Sequence, residues 1–329
     1  IKDYCYLVNP YFPTKQMIDK MKYFYSELLF NYPSGQKIEK ICASRMFNNV
    51  SEDNILIGNG AAELINTLKY VVGEKIGLTI PSFNEYVRCF PNSEILYINS
   101  KEDNYCLSFN RIASKLDEVD TMIIISPDNP TGSHLKYDEV IKLLDLAKQK
   151  DKQIIFDESF IDFANNNYTL IEDDILNKYP NLIVIKSISK SYGVPGLRLG
   201  VLASGNKDNI KTINTNLPVW NINSFAEYFL QIINVYKKDY VLGCNKIKEE
   251  RDRFYNELME IKEIEVYNSE ANYFMIKLNN GNAIELAEYL LDNNKLLIKV
   301  LNGKNGFDDK EYIRIAIKSS EENDYFIQS

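Results

Sequence analysis

The sequence predicts an α/β protein, with a large domain built on a mostly parallel seven-stranded sheet and a smaller α+β domain beside it. Three observations lead there. Seven short runs rich in β-branched residues recur between positions 55 and 202. Helical patterns separate most of them, the alternation that yields parallel strands with right-handed crossovers. After Asn221 the alternation stops, and a long helical stretch precedes two strand-like pieces around one helix.

Taken in order, the strand runs are Ile55-Leu56-Ile57, Ile76 to Ile80, Ile95 to Ile98, Met122 to Ile125, Ile154 to Phe156, Leu182 to Ile185 and Leu199 to Leu202. Several are continuously apolar, as strands covered on both faces are. Helical spacing appears at Ala61 to Val72, Asn84 to Phe90, Tyr137 to Lys150 and, briefly, Ile171 to Lys178. These elements define a domain over residues 35–220. Ser224 to Ile261 is long and helical, and Tyr273 to Leu278 and Tyr312 to Ile317 flank the helix Ala283 to Asp292. Residues 221–329, completed by the segment 1–34, read as the smaller domain.

A net charge of −8 disfavours nucleic acid or an anionic membrane as partner, since either calls for a basic face. No run of about 18 apolar residues and no signal-peptide pattern occurs, so the chain is expected to be cytoplasmic. The five cysteines include no CxxC pair, which points to reduced core thiols rather than a disulfide or zinc framework. With His134 the single histidine, no metal site is expected, and a structural role is expected for His134 itself. The chain begins at Ile1 rather than methionine and reads as a processed, trimmed or excised piece of something longer.

The chemistry concentrates in Ser187-Ile188-Ser189-Lys190-Ser191-Tyr192-Gly193-Val194-Pro195-Gly196-Leu197-Arg198-Leu199-Gly200. A lysine ending a buried strand is held away from water, and burial favours its neutral, nucleophilic amine. Ser187, Ser189 and Arg198 surround Lys190 with hydroxyls and a guanidinium suited to an anion such as phosphate. A neutral amine beside a phosphate pocket is what Schiff-base chemistry with pyridoxal phosphate requires. The plain alternative is a solvated lysine in a serine-rich turn.

Other segments suit the same pocket. Asp157 ends the run Gln153 to Phe156, where a carboxylate can keep a pyridine nitrogen protonated; a capping aspartate is the alternative. Asn129, in Ser126-Pro127-Asp128-Asn129-Pro130-Thr131-Gly132, can donate to a ring oxygen, although Asn-Pro before glycine is also a plain turn signal. Gly58-Asn59-Gly60-Ala61-Ala62-Glu63 follows the first strand, so that amides at Gly60, Ala61 and Ala62 can approach a phosphate. A dinucleotide-binding turn is the rival, but Glu63 stands where the third glycine of that fingerprint belongs. Phe83, in Pro81-Ser82-Phe83-Asn84-Glu85-Tyr86, can stack on a planar ring.

The order and spacing of these segments resemble the fold-type I pyridoxal phosphate enzymes. The likeness is to the class I/II aminotransferase branch that holds histidinol-phosphate aminotransferase and its relative threonine-phosphate decarboxylase. It runs over nearly the whole chain. The resemblance implies that Lys190 is the internal aldimine lysine and proton shuttle, Asp157 the partner of the pyridine nitrogen and Asn129 the donor to the ring oxygen. It places Phe83 on the ring and Ser187, Ser189, Arg198, Ala61 and Ala62 on the phosphate. Tyr32, in Asn31-Tyr32-Pro33-Ser34-Gly35, matches a tyrosine that reaches a partner subunit's cofactor, which implies a homodimer with shared sites. Arg314 matches an arginine that binds the substrate's anionic group; alone it would read as a surface ion-pair residue. Asn9 and Asn272 fall at substrate-side positions. Relatives carry more residues before the match to Val8-Asn9-Pro10, which leaves room for a lost arm or a fused upstream domain.

One departure bears on the reaction. Phe160 stands where many aminotransferases place a tyrosine that donates to the ring oxygen. Asp157 to Phe163 and Pro218 to Asn223 look more like the phosphate-amino-acid decarboxylases, whereas Arg314 followed by Ser319 to Asp324 looks more like histidinol-phosphate aminotransferase. The sequence ranks first an aminotransferase acting on a small phosphorylated or phosphonylated amine or amino acid. A decarboxylase of phosphoserine- or phosphothreonine-like amino acids comes second, and a cofactor-free binding domain third.

Overall fold

The computed structural model describes residues 1–308 and 310–329. Its large sheet has seven strands: β1 (Ile55–Asn59), β2 (Lys75–Ile80), β3 (Glu94–Asn99), β4 (Thr121–Ile125), β5 (Gln153–Asp157), β6 (Leu182–Ser187) and β7 (Leu199–Ala203). Across the sheet they run β1-β7-β6-β5-β4-β2-β3. Only β7 is antiparallel to its neighbours, β1 and β6. All seven sequence runs are strands here.

The apolar runs are continuous because both faces are covered, and alternation then sorts the residues. In β4, Met122 and Ile124 join the core on one face while Ile123 and Ile125 join the other. In β6, Leu182 and Val184 face one way and Ile183 and Ile185 the other. The parallel strands share one polarity, so their C-terminal ends (Ile125, Asp157 and Ser187) lie side by side along one edge.

The C-terminal part forms an antiparallel sheet of Lys299–Val300, Tyr312–Ala316, Tyr273–Leu278 and Ile264–Val266. The N-terminal segment is stitched to it: Lys2–Asp3 pairs with Leu296–Leu297, and the Ala316 amide donates to the Tyr4 carbonyl at 2.9 Å.

Two sequence expectations change. The helix expected over Ala61 to Val72 ends at Thr67 and tightens into a 3-10 turn over Leu68–Tyr70. The long helical stretch after Ser224 is two helices, Ser224–Ile232 and Lys237–Met259, separated by the 3-10 turn Ile233–Tyr236. The N-terminal helices Lys15–Tyr23, Tyr25–Phe30 and Gln36–Met46 were not anticipated; the first is mostly polar, and only Met17 in it is buried.

All five cysteines are free; Cys42, Cys89 and Cys244 are buried, but Cys106 is exposed rather than a core thiol. His134 lies against Tyr168, ring centroids 5.4 Å apart, with Nδ1 3.0 Å from the Ser126 hydroxyl. Among the described residues no helix is long and apolar enough to cross a membrane, and no cluster suited to a metal ion occurs.

Candidate active site

The site gathers at the C-terminal edge of the parallel strands. Asp157 is the last residue of β5 and is buried. Its carboxylate accepts from the Tyr86 hydroxyl at 2.8 Å and from the Ser159 amide at 2.9 Å. Burial pushes its pKa up, and these two bonds only partly offset the push. Strand alternation sends the next residue, Glu158, to the opposite face. There Glu158 meets the buried Lys186 ammonium at 3.4 Å, the Thr169 hydroxyl at 2.6 Å and the Leu170 amide at 2.8 Å. Glu158 is thus satisfied by the fold, whereas Asp157 has no cation bonded to it among the described residues. A buried carboxylate in that state favours a positively charged partner.

Lys190 lies on the short helix Ile188–Ser191 that follows β6. Burial, and then the charges of Arg314 and Arg198, lower its pKa; Asp157 acts in the opposite direction. The result favours the neutral amine. The lysine turn is braced from the N-terminal segment. The Asn9 amide nitrogen donates to the Lys190 carbonyl at 3.1 Å, and its side chain donates to the Ser191 carbonyl at 2.9 Å. The Asn9 side-chain oxygen accepts from the Tyr11 amide at 3.0 Å. This asparagine is therefore engaged with backbone, and it holds the lysine turn rather than presenting a free amide.

A third group of residues forms a cradle. Gly60, at φ 76°, turns the chain into the helix Ala61–Thr67, whose first amides have no side-chain cap. A Cβ on Gly60 would lie 2.6 Å from Arg198 Nη2, so only glycine admits the guanidinium there. Gly200 is pressed equally closely onto the Ala61 backbone. Arg198 adopts a left-handed conformation with φ 56°. The Ser189 hydroxyl lies 3.4 Å from the Leu199 amide, and the Ser187 amide donates to the Ser159 hydroxyl at 2.9 Å. Uncapped amides, a guanidinium and hydroxyls at neighbouring strand ends suit a phosphate.

Arg314 is half-buried against the ring of Tyr273, its guanidinium 5.6 Å from the ring centroid. Nη1 donates to the Asn129 side-chain oxygen at 2.6 Å and Nη2 to the Cys5 carbonyl at 2.8 Å, while Nε has no partner. No carboxylate pairs with it among the described residues, so the surface ion-pair alternative does not describe it. A half-buried guanidinium in this state is suited to receiving an anion. Asn272 is fully buried, and neither its side-chain oxygen nor its nitrogen is bonded. Phe160 packs edge-on against Tyr273, centroids 5.1 Å apart, and supplies no donor. The Tyr273 hydroxyl is spent on the Asp128 carbonyl at 2.6 Å.

Phe83 is partly exposed and precedes the helix Asn84–Cys89, which carries Tyr86 down to Asp157. Tyr32 is largely exposed, stacked on Trp220 with centroids 4.4 Å apart. Sequence reasoning missed Tyr86; its position three residues after Phe83, on the same helical turn, was the available signal.

The residues fit pyridoxal phosphate on three counts. Asp157 is a buried carboxylate lacking a cation, Lys190 is biased toward its neutral form, and a Cβ at Gly60 would fill the cradle beside Arg198.

Comparison with known proteins agrees with this geometry. The family described as "Aminotransferase class I and II" matches residues 3–329. An L-serine phosphate decarboxylase from Campylobacter jejuni is 34% identical over 349 residues, covering 99% of this chain and 87% of that protein. A solved decarboxylase from Sulfurospirillum multivorans superposes with a TM-score of 0.90 at 30% identity, covering 100% of this chain and 86% of that one. The histidinol-phosphate aminotransferase from Clostridium acetobutylicum gives 0.88 at 29% identity, covering 100% and 97%.

Proposed function

The chain belongs to the class I and II aminotransferases, within the fold-type I pyridoxal phosphate enzymes, and on that basis we propose that it decarboxylates a phosphorylated amino acid of the phosphoserine class. The single observation that carries this reading is the 34% identity to an L-serine phosphate decarboxylase over 99% of the chain. It reverses the order in which the sequence alone ranks the two reactions. Phe160 supports it, because the donor that many aminotransferases use at this position is missing and apolar packing replaces it.

When bound, pyridoxal phosphate supplies a carbon that joins the substrate amine and a protonated ring that accepts the electron pair left when carbon dioxide departs. Asp157 keeps the proton on the ring nitrogen, its own charge oriented by Tyr86 and Ser159. Gly60, Ala61, Ala62, Ser187, Ser189 and Arg198 hold the cofactor phosphate. The Asn129 oxygen is committed to Arg314, and this turns its amide nitrogen away from the guanidinium, free to donate to the ring oxygen. Lys190, its pKa lowered by burial and by Arg314 and Arg198, would hold the cofactor, take up the proton that the substrate ammonium loses, and deliver it to the substrate carbon that has lost its carboxylate. Arg314 binds the substrate's anionic tail.

We also propose a homodimer in which Tyr32 reaches the partner's site. Tyr23, Phe30, Tyr32, Val219 and Trp220 are all exposed, a display of apolar surface suited to a second copy.

The test is incubation of the holoenzyme with O-phosphoserine, with and without a keto-acid acceptor. Carbon dioxide release independent of the acceptor is expected. Amine transfer that requires the acceptor, with no carbon dioxide, would return the reading to transamination.

A further inference from the structure

The loop between the strands Lys299–Val300 and Tyr312–Ala316 brings a cation, Lys304, onto the turn that carries Phe83. Lys304 is half-buried and donates its ammonium to the side-chain oxygen of Asn84 at 2.6 Å. The loop is pressed onto the Pro81–Asn84 turn: a Cβ at Gly306, φ +98°, would lie 2.6 Å from the Pro81 nitrogen. Within that turn the Ser82 hydroxyl donates to the buried Asp128 carboxylate at 2.6 Å. Asp128 immediately precedes Asn129, to which Arg314 is bonded. Lys304 and Arg314 are therefore both tied to the Asp128–Asn129 segment, one through the turn and the other directly.

Neither cation has a carboxylate ion pair among the described residues. Asp128 already accepts from the Ser82 and Thr131 hydroxyls, and burial holds its pKa up at about 7. Glu85 and Arg88, which line the cleft beside Lys304, pair with each other at 2.7 Å. Burial pushes the Lys304 ammonium down to about 8; Arg314 and Lys299 push the same way, and Asp128 opposes them. Two cations tied to one segment and lacking carboxylates favour an anion that joins them.

The charge of the substrate matches this preference. A phosphate monoester carries about −1.5 to −2 at pH 7, so one guanidinium balances roughly half of it. We infer that Lys304 is a specificity-determining residue that places the second positive charge on the substrate's phosphate, alongside Arg314. The inference rests on the decarboxylase reading and deepens it. With both cations on the phosphate, neither holds the carboxylate. An ion pair there would stabilise the charged ground state against loss as neutral carbon dioxide.

The experiment titrates the holoenzyme with two ligands, followed by the cofactor's absorbance. Phosphoethanolamine carries the phosphate without the carboxylate, and L-serine the carboxylate without the phosphate. Lys304→Gln is expected to weaken phosphoethanolamine roughly ten- to a hundredfold while leaving L-serine unchanged. Lys304→Arg is expected to retain the affinity. In the wild type, phosphoethanolamine binding should weaken as pH rises through about 8, an inflection that Lys304→Gln removes. Unchanged phosphoethanolamine affinity in Lys304→Gln, or an equal loss for both ligands, overturns the inference and leaves the decarboxylase reading intact. A wild-type enzyme that binds phosphoethanolamine but releases no carbon dioxide from phosphoserine overturns the reading alone.

Discussion

Arg314 donates to the side-chain oxygen of Asn129 at 2.6 Å, joining a strand of the small sheet to the loop after β4 of the large one. The residue proposed to hold the substrate thereby orients the residue proposed to hold the cofactor ring. A guanidinium only donates, so the asparagine must turn its oxygen to Arg314 and its nitrogen elsewhere. Arg314→Gln should lower kcat/KM on phosphoserine by roughly two to three orders of magnitude. It should also shift the absorbance of the bound cofactor. Arg314→Lys keeps the charge but loses the fork, and should recover only part of the activity. A loss of turnover with an unaltered spectrum would mean that the coupling through Asn129 is not functional.

Lys190→Ala should abolish turnover and eliminate borohydride-stable attachment of the cofactor, read by mass spectrometry. The pH dependence carries more information. Positive charges at Arg314 and Arg198 lower the lysine's pKa, so the reactive neutral amine persists to lower pH than in a free lysine. Removing the charge in Arg314→Gln should move the pH profile for capture of the cofactor by the apoprotein upward. A profile that stays in place would exclude Arg314 as a source of the shift.

Tyr86 touches Asp157 and nothing else in the proposed chemistry. Its hydroxyl lowers the pKa of the carboxyl, so Tyr86→Phe should raise it further and weaken the hold on the ring proton. We expect turnover to fall about tenfold, the worth of roughly one hydrogen bond to a charged group. Asp157→Asn should cost far more. Equal losses in the two variants would show that Tyr86 does more than support Asp157.

Tyr32 offers a test of shared sites. A chain carrying Lys190→Ala and a chain carrying Tyr32→Ala should each be impaired. Mixed after dissociation, they should form hybrids with one intact site, so that activity rises toward about a quarter of wild type. Activity equal to the sum of the separate variants would place Tyr32 in its own subunit's function.

Glu39 is fully buried with neither carboxylate oxygen bonded, and burial, with Glu227 and Glu63 nearby, raises its pKa to about 7. The folded state therefore holds this proton more tightly than the unfolded chain does. The contribution is fully present below the ordinary glutamate range and is lost as pH rises through about 7. Stability of the apoprotein should thus decline between roughly pH 4.5 and 7. Glu39→Gln should flatten that slope and stabilise by roughly 2 kcal/mol at pH 8. Chemical denaturation across pH measures both.

The strands and the lysine segment were legible because their causes are local. A strand covered on both faces needs a continuous apolar run, and Leu182 to Ile185 and Met122 to Ile125 show it within a few residues. The cradle residues sit at strand ends, where glycine and serine are read from the chain itself. The N-terminal helices were not read from the chain, because Lys15–Tyr23 is short and mostly polar and buries only Met17.

The sequence by itself therefore determined the fold, the cofactor-bearing pattern around Lys190 and the residue types that surround it. The tertiary structure decided what depends on distant parts of the chain meeting. Arg314 has no carboxylate partner among the described residues because strand pairing turns it toward Asn129 and Tyr273. Tyr86 reaches Asp157 because a helix after β2 descends onto the end of β5. Lys304 reaches Asn84 because a glycine at position 306 lets its loop lie on the Pro81 backbone. Whether a charged side chain is buried, and beside what, depends on contacts between segments that local sequence does not encode.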